Sequence, residues 1–132
     1  MVNNMIDAKS LRLGNFVLVE NDYEEVVGIN KYEITCRLDE TSHGINQSIK
    51  DIKPIILTEK WLLRFGFSKE IFNALYIGKE VNGKYFTLYT EDNINYYFFY
   101  ESDGVKMKRK VDYVHQLQNL YFFLTDKELV LN

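Results

Sequence analysis

One cysteine, one proline and two histidines set the first limits on this chain. With Cys36 alone, no internal disulfide can form and a cage of several thiolates around a metal is excluded. No apolar run approaches the roughly 18 residues that a membrane-spanning helix requires. The opening stretch, Met1 to Asn15, contains no apolar core of signal-peptide length. A cytoplasmic protein without a membrane partner is therefore expected. Neither sign of charge dominates: nineteen acidic against sixteen basic residues give a net charge of −3. That keeps a domain soluble but exerts no whole-molecule pull on nucleic acid or acidic membranes. Gly14, Gly28, Gly44 and Gly66 are isolated from one another, so there is no glycine-rich phosphate loop.

What the chain has in quantity is aromatic surface, with ten Tyr, nine Phe and one Trp. Its 132 residues suffice for one domain with a real core. From Leu11 to about Leu57 the pattern is one of short strands. "FVLVE" (16–20) and "YEEVVGI" (23–29) flank a turn predicted at Asn21-Asp22, and "YEITCRL" (32–38) alternates Tyr32, Ile34, Cys36 and Leu38 on one side. "ETSHGINQ" (40–47) reads as a loop, and Pro54 stops any ladder. Strands so short and tightly linked predict a small curled sheet, a partial barrel of the SH3 type.

A short helix is predicted over 58–65, with Thr58 as its cap and Gly66 as its left-handed stop. Trp61, Leu62 and Phe65 form its apolar stripe, more readily a core anchor than a ligand box. From Leu75 to Val111 the turns fix a β-meander. Asn82-Gly83 is a strong two-residue hairpin signal and sets Ile77 against Leu88, Lys79 against Phe86, and Tyr76 against Tyr89. Asp103-Gly104 sets Tyr100 against Met107 and Tyr96 against Val111, with Phe99 facing Lys108 and Tyr97 facing Lys110. One face is then apolar, and the other mixes aromatics with charge. A last helix, opened by Asp112, carries Val114, Leu117, Leu120, Tyr121 and Leu124 on its apolar side. Thr125 and Glu128 have capping-box spacing, which predicts a further turn or short strand.

Two groups of residues are candidate sites. His115, Gln118 and Asn119 fall at i, i+3 and i+4 and share one helical face. They are the candidate partner-binding set. The competing reading, which carries more weight, is that they satisfy backbone groups where the helix packs on a sheet. In the basic run "KMKRK" (106–110), alternation sends Lys106, Lys108 and Lys110 to the same side as Tyr97 and Phe99. Such a face grips a single nucleic-acid strand by charge and stacking. It equally describes a solvated sheet whose Lys stems cover rings, and the acidic net charge disfavours nucleic acid.

The remaining chemistry is thin. His43 stands in a loop without metal-type neighbours, and Cys36 reads as a buried, inert thiol. Asp39-Glu40 and Glu91-Asp92 fall in loops, while Glu24-Glu25 point to opposite strand faces. No catalytic set, metal site or cofactor is expected. Paired Tyr on an exposed sheet face would suit a homodimer.

Three blocks, "LRLGNFV" (11–17), "PIILTEKWLLRFGF" (54–67) and "YVHQLQNLYFFLTDKEL" (113–129), resemble a family of small uncharacterised proteins encoded by phages, prophages and mobile elements of Bacteroidota. Where that family usually reads "YFALTG", this chain has Phe123 and Asp126. The resemblance implies a mobile-element accessory protein and supplies no catalytic residue. The expected architecture is α+β: an N-terminal β-rich unit over 1–57, then helix, antiparallel meander and C-terminal helix over 58–132, within one domain. The expected function is non-enzymatic binding of a host or phage protein, with weak single-stranded nucleic-acid binding as the alternative.

Overall fold

The computed structural model describes residues 6–69 and 75–132. The first five residues of the stretch read above for a leader core lie outside them. Within the described residues the protein is α+β, with two antiparallel sheets and two α-helices. The chain divides into two compact units: residues 1–56 with 113–119, and residues 57–112 with 120–132.

The first unit holds a five-stranded sheet built from β1 (Phe16–Val19), β2 (Asp22–Ile29), β3 (Glu33–Arg37), β4 (Ile45–Ser48) and β5 (Ile52–Lys53). The order β4-β3-β2-β1-β5, with a 3-10 turn at Ile49–Asp51 returning β5 to β1, curls into a half-barrel of the SH3 type. A register shift between Val26 and Gly28 marks a bulge, the usual device for bending a strand. The concave side collects Val17, Val19, Val26, Ile34, Cys36 and Ile52, joined by Ile6 and Leu11. Burying such side chains contributes roughly 1.5–3 kcal/mol each and drives the closure.

Three details depart from expectation. The first hairpin turns on Glu20 and Asn21, with Glu20 at φ 56 and Asp22 already paired with Val19. A two-residue loop needs its left-handed residues directly after the last paired one, which shifts the turn by one position. β4 forms within the segment expected to be loop, because Asn46 and Gln47 lie on an exposed edge strand, where no apolar face is demanded. Tyr32 and Leu38 are exposed and lie outside β3, so only Ile34 and Cys36 of that alternation reach the core.

In the second unit, α1 (Glu59–Arg64) begins at Thr58, whose hydroxyl accepts from Trp61 N–H at 3.4 Å. It ends at Gly66, at φ 87. Trp61, Leu62 and Phe65 are buried as the stripe predicts. The meander follows as β6 (Tyr76–Val81), β7 (Lys84–Tyr89), β8 (Tyr96–Ser102) and β9 (Val105–Val111), in that spatial order. Its register is the one the two turns dictate: Ile77 opposite Leu88, Tyr76 opposite Tyr89, Tyr97 opposite Lys110, and Phe99 opposite Lys108. Phe86 is the hub of the covered face, 5.2 Å from the Tyr121 ring, 6.0 Å from Phe67 and 5.1 Å from Phe98.

The last helix, α2, spans Val114–Thr125; its residues to Asn119 belong to the first unit and the rest to the second. Its opening residue is Tyr113 rather than Asp112. Tyr113 N–H donates to Gln116 Oε1 at 3.2 Å, the reciprocal half of a capping box. Val114, Leu117 and Tyr121 are buried, but Leu124 is exposed and Leu120 only half-buried. After Thr125 the chain runs on without helix or strand to Asn132. The Thr125 hydroxyl donates back to Tyr121 C=O at 2.7 Å instead of opening a new element.

Candidate functional site

The polar face of α2 lies in the interior of the first unit. His115 is 3% exposed and Gln118 is 1% exposed, while Asn119 is half-buried. Gln118 Oε1 accepts from Phe16 N–H at 2.9 Å, and its Nε2 donates to Gly14 C=O at 3.0 Å. Asn119 Nδ2 donates to Ser10 C=O at 2.7 Å, and its Oδ1 accepts from Asn15 Nδ2 at 2.8 Å. Asn15 Oδ1 accepts in turn from Arg12 N–H at 2.7 Å. The amides thus complete the backbone of the irregular segment that leads into β1, which is the weightier of the two readings their spacing allowed. The reason is position: Gly14, at φ 93, lies two residues before β1, and β5 pairs only with Leu18 and Val19, so the earlier groups have no ladder partner on that side.

His115 belongs to the same network. The Ser10 hydroxyl donates to Asp7 C=O at 2.6 Å, so toward His115 Nε2, 3.3 Å away, it presents a lone pair. That favours the tautomer with hydrogen on Nε2 and leaves Nδ1 a bare lone pair, which meets no partner among the described residues. Burial pushes the imidazole pKa down to about 4, so the ring is neutral at pH 7. Tyr113 stacks parallel to it, with centroids 5.9 Å apart.

Asn15 is the residue that sequence reasoning passed over. It is fully buried, and its only prior signal was its place after Gly14 in the "LRLGN" block. The blocks meet in space: Ser10 to Phe16 bond to Gln118 and Asn119, and Val114 N–H donates to Ile55 C=O at 2.9 Å.

The aromatic and basic residues of the meander are differently placed. Register sets Tyr76 on β6, Tyr85 and Tyr89 on β7, Tyr97 and Phe99 on β8, and Lys106, Lys108 and Lys110 on β9 on one sheet face. Phe99 is 46% exposed and stands edge-on to Tyr89 at 5.4 Å; Tyr89 meets Tyr76 at the same distance. Together with Thr87, Tyr100 and Lys106 these rings line a shallow depression of about 420 Å³. Lys108 Nζ lies 4.7 Å from the centre of the Tyr97 ring, and Lys110 Nζ is 3.2 Å from an Asp112 carboxylate oxygen. The Tyr89 hydroxyl donates to Glu91, and that bond to a carboxylate raises its pKa.

Other reactive groups are held in structural roles. Burial raises the Cys36 thiol to about 11, so it carries no thiolate at neutral pH. Asp39 accepts from Thr41 and Ser42, and Asp92 accepts from Ile94 and Asn95 N–H; these bonds lower both carboxyls, Asp92 to about 2. Glu25 pairs with Arg37 at 2.9 Å, while Glu24 on the other side is raised by burial beside Asp22 and Glu20. His43 is exposed. No group of three or more His, Cys, Asp or Glu suited to a metal occurs among the described residues, and no helix there is long and apolar enough to cross a membrane. No family model matches the chain, and neither a curated protein nor a solved structure is significantly similar to it.

Proposed function

We propose that this chain is a non-enzymatic, cytoplasmic protein-binding or adaptor module, and that its contact surface is the aromatic face of β6–β9. The observation that carries the proposal is the cluster of exposed Phe99 with half-buried Tyr89 and Tyr76 around a depression of about 420 Å³. Large rings that stay outside a core are the groups that anchor protein interfaces, because each removes much apolar area from water with few rotors to order. The polar residues of α2 serve the interior, which leaves this face as the chemically distinctive surface. The mobile-element setting is supported by the wording of the three sequence blocks alone.

The test compares wild type with the double variant Tyr89→Ser, Phe99→Ser by chemical crosslinking in host lysate and by sedimentation of the purified protein. The expected result is a crosslinked protein lost in the variant, at an unfolding temperature within a few degrees of wild type. Equal capture by both proteins sinks the proposal. Self-association that the variant abolishes makes the partner a second copy.

A second reading is single-stranded nucleic acid on Tyr97, Phe99, Lys106, Lys108 and Lys110, favoured by the row of lysines beside exposed Phe99 and half-buried Tyr97. A salt-sensitive shift with oligo-dT supports it, and no shift at low salt removes it.

A further inference from the structure

The seven residues of β9 form the outer margin of the four-stranded sheet, and among the described residues no strand pairs with its far side. Val105 to Lys110 are all exposed. The opposite margin differs: Gly78 of β6 exchanges two backbone bonds with Ser68, at 2.8 and 3.1 Å.

Which backbone groups of β9 point outward follows from its hairpin. Asp103 at φ 52 and Gly104 at φ 78 make a type I′ turn, closed by the pair Ser102 and Val105. A closing pair exchanges both its bonds across the strands, and the pattern then alternates. The N–H and C=O of Lys106, Lys108 and Lys110 therefore face away from β8. The same three residues send their side chains to one sheet face, while Val105, Met107 and Arg109 point to the other.

That geometry selects against a second copy. In antiparallel self-pairing centred on Lys108, Lys106 meets Lys110 and Lys108 meets its own mate. Like charges directly opposite are destabilising, and cationic edges are a known guard against edge-to-edge association. A strand of opposite charge meets the reverse situation. Acidic side chains at every second position face the three lysines, apolar ones between them cover Val105 and Met107, and three pairs of backbone groups gain partners.

We infer that the β9 edge accepts an extended acidic peptide as a fifth strand, with Asp or Glu opposite Lys106, Lys108 and Lys110. This deepens the protein-binding reading and rests on it. A single nucleic-acid strand offers matching charge, but its backbone has no N–H for the outward carbonyls, and Lys108 already covers a face of Tyr97. Pairing through main-chain bonds with alternate side chains for specificity is an established mode of peptide capture.

The experiment is fluorescence anisotropy of the full chain with a labelled, blocked heptapeptide of alternating Glu and Val. Binding is expected, weakened at least tenfold by Lys106→Glu with Lys108→Glu, which alter exposed positions and leave the unfolding temperature within a few degrees. Methylating the peptide nitrogens of the Glu residues keeps the charge and removes the ladder donors, and the same tenfold loss is expected. Undiminished binding of the methylated peptide overturns strand addition in favour of plain charge attraction. Tighter binding of oligo-dT than of the peptide transfers the edge to nucleic acid. No peptide binding at low salt also overturns the inference. A partner still crosslinked through Tyr89 and Phe99 in that case leaves the protein-binding reading standing.

Discussion

Gln118 holds Phe16 in place: the Phe16 N–H, which opens β1, donates to the Gln118 side-chain oxygen at 2.9 Å, inside the first unit. The same amide accounts for Gly14 C=O two residues earlier. One helical side chain thus completes two backbone groups that the sheet cannot reach.

Replacing it separates hydrogen bonding from volume. Gln118→Met keeps most of the bulk but leaves the Phe16 N–H and the Gly14 C=O unpaired, at about 1–3 kcal/mol each. For a chain of this size each kcal/mol lowers the unfolding midpoint by roughly 3–6 °C. Calorimetry should record a fall of about 10 °C. A shift below about 2 °C means that water or a neighbour takes over both bonds.

Stability should also carry the titration of His115. Burial depresses its folded pKa to about 4 from the ordinary 6.5, so the neutral ring is the one the fold accepts. Above pH 6.5 both states are neutral and stability is independent of this group. As pH falls from 6.5 toward 4, the unfolded chain takes up a proton that the folded one refuses. Stability then declines by about 1.4 kcal/mol per pH unit, on the order of 3 kcal/mol in all. Chemical denaturation of wild type and His115→Gln across that range should show the slope only in wild type. Asp39 and Asp92, with lowered pKa values, act below this window, where their protonation removes stability. Parallel slopes in the two proteins would assign the acid sensitivity elsewhere.

The end of α2 offers a test by stabilisation. Asp126 sits at φ 59 directly after the helix, and its N–H donates to Phe122 C=O at 2.8 Å. It adopts the left-handed stop that glycine makes at little cost. Asp126→Gly should raise the midpoint by a few degrees, about 0.5–1 kcal/mol, because strain outweighs the extra backbone freedom gained by the unfolded chain. A lower midpoint would mean that backbone entropy wins. Phe123 is largely exposed, so packing places no limit on its size.

The sequence by itself determined what depends on local chemistry. Asn82-Gly83 and Asp103-Gly104 impose two-residue turns, and a turn of fixed length sets the register of everything beside it. Period-two alternation then assigns Tyr97, Phe99 and the three lysines to one face. Thr58 and Gly66 bounded α1 for the same reason: caps act through bonds only a few residues long. Tertiary structure decided the rest. Whether the polar side of α2 faced a partner or the interior depended on Gly14 and Phe16, about a hundred positions away, and helical spacing carries no information about so distant a neighbour. β4 escaped notice because an edge strand needs no apolar face, and Leu124 reads as core by its spacing although it stays exposed at the end of α2. Local rules propagate along the chain; burial is settled only when distant segments meet.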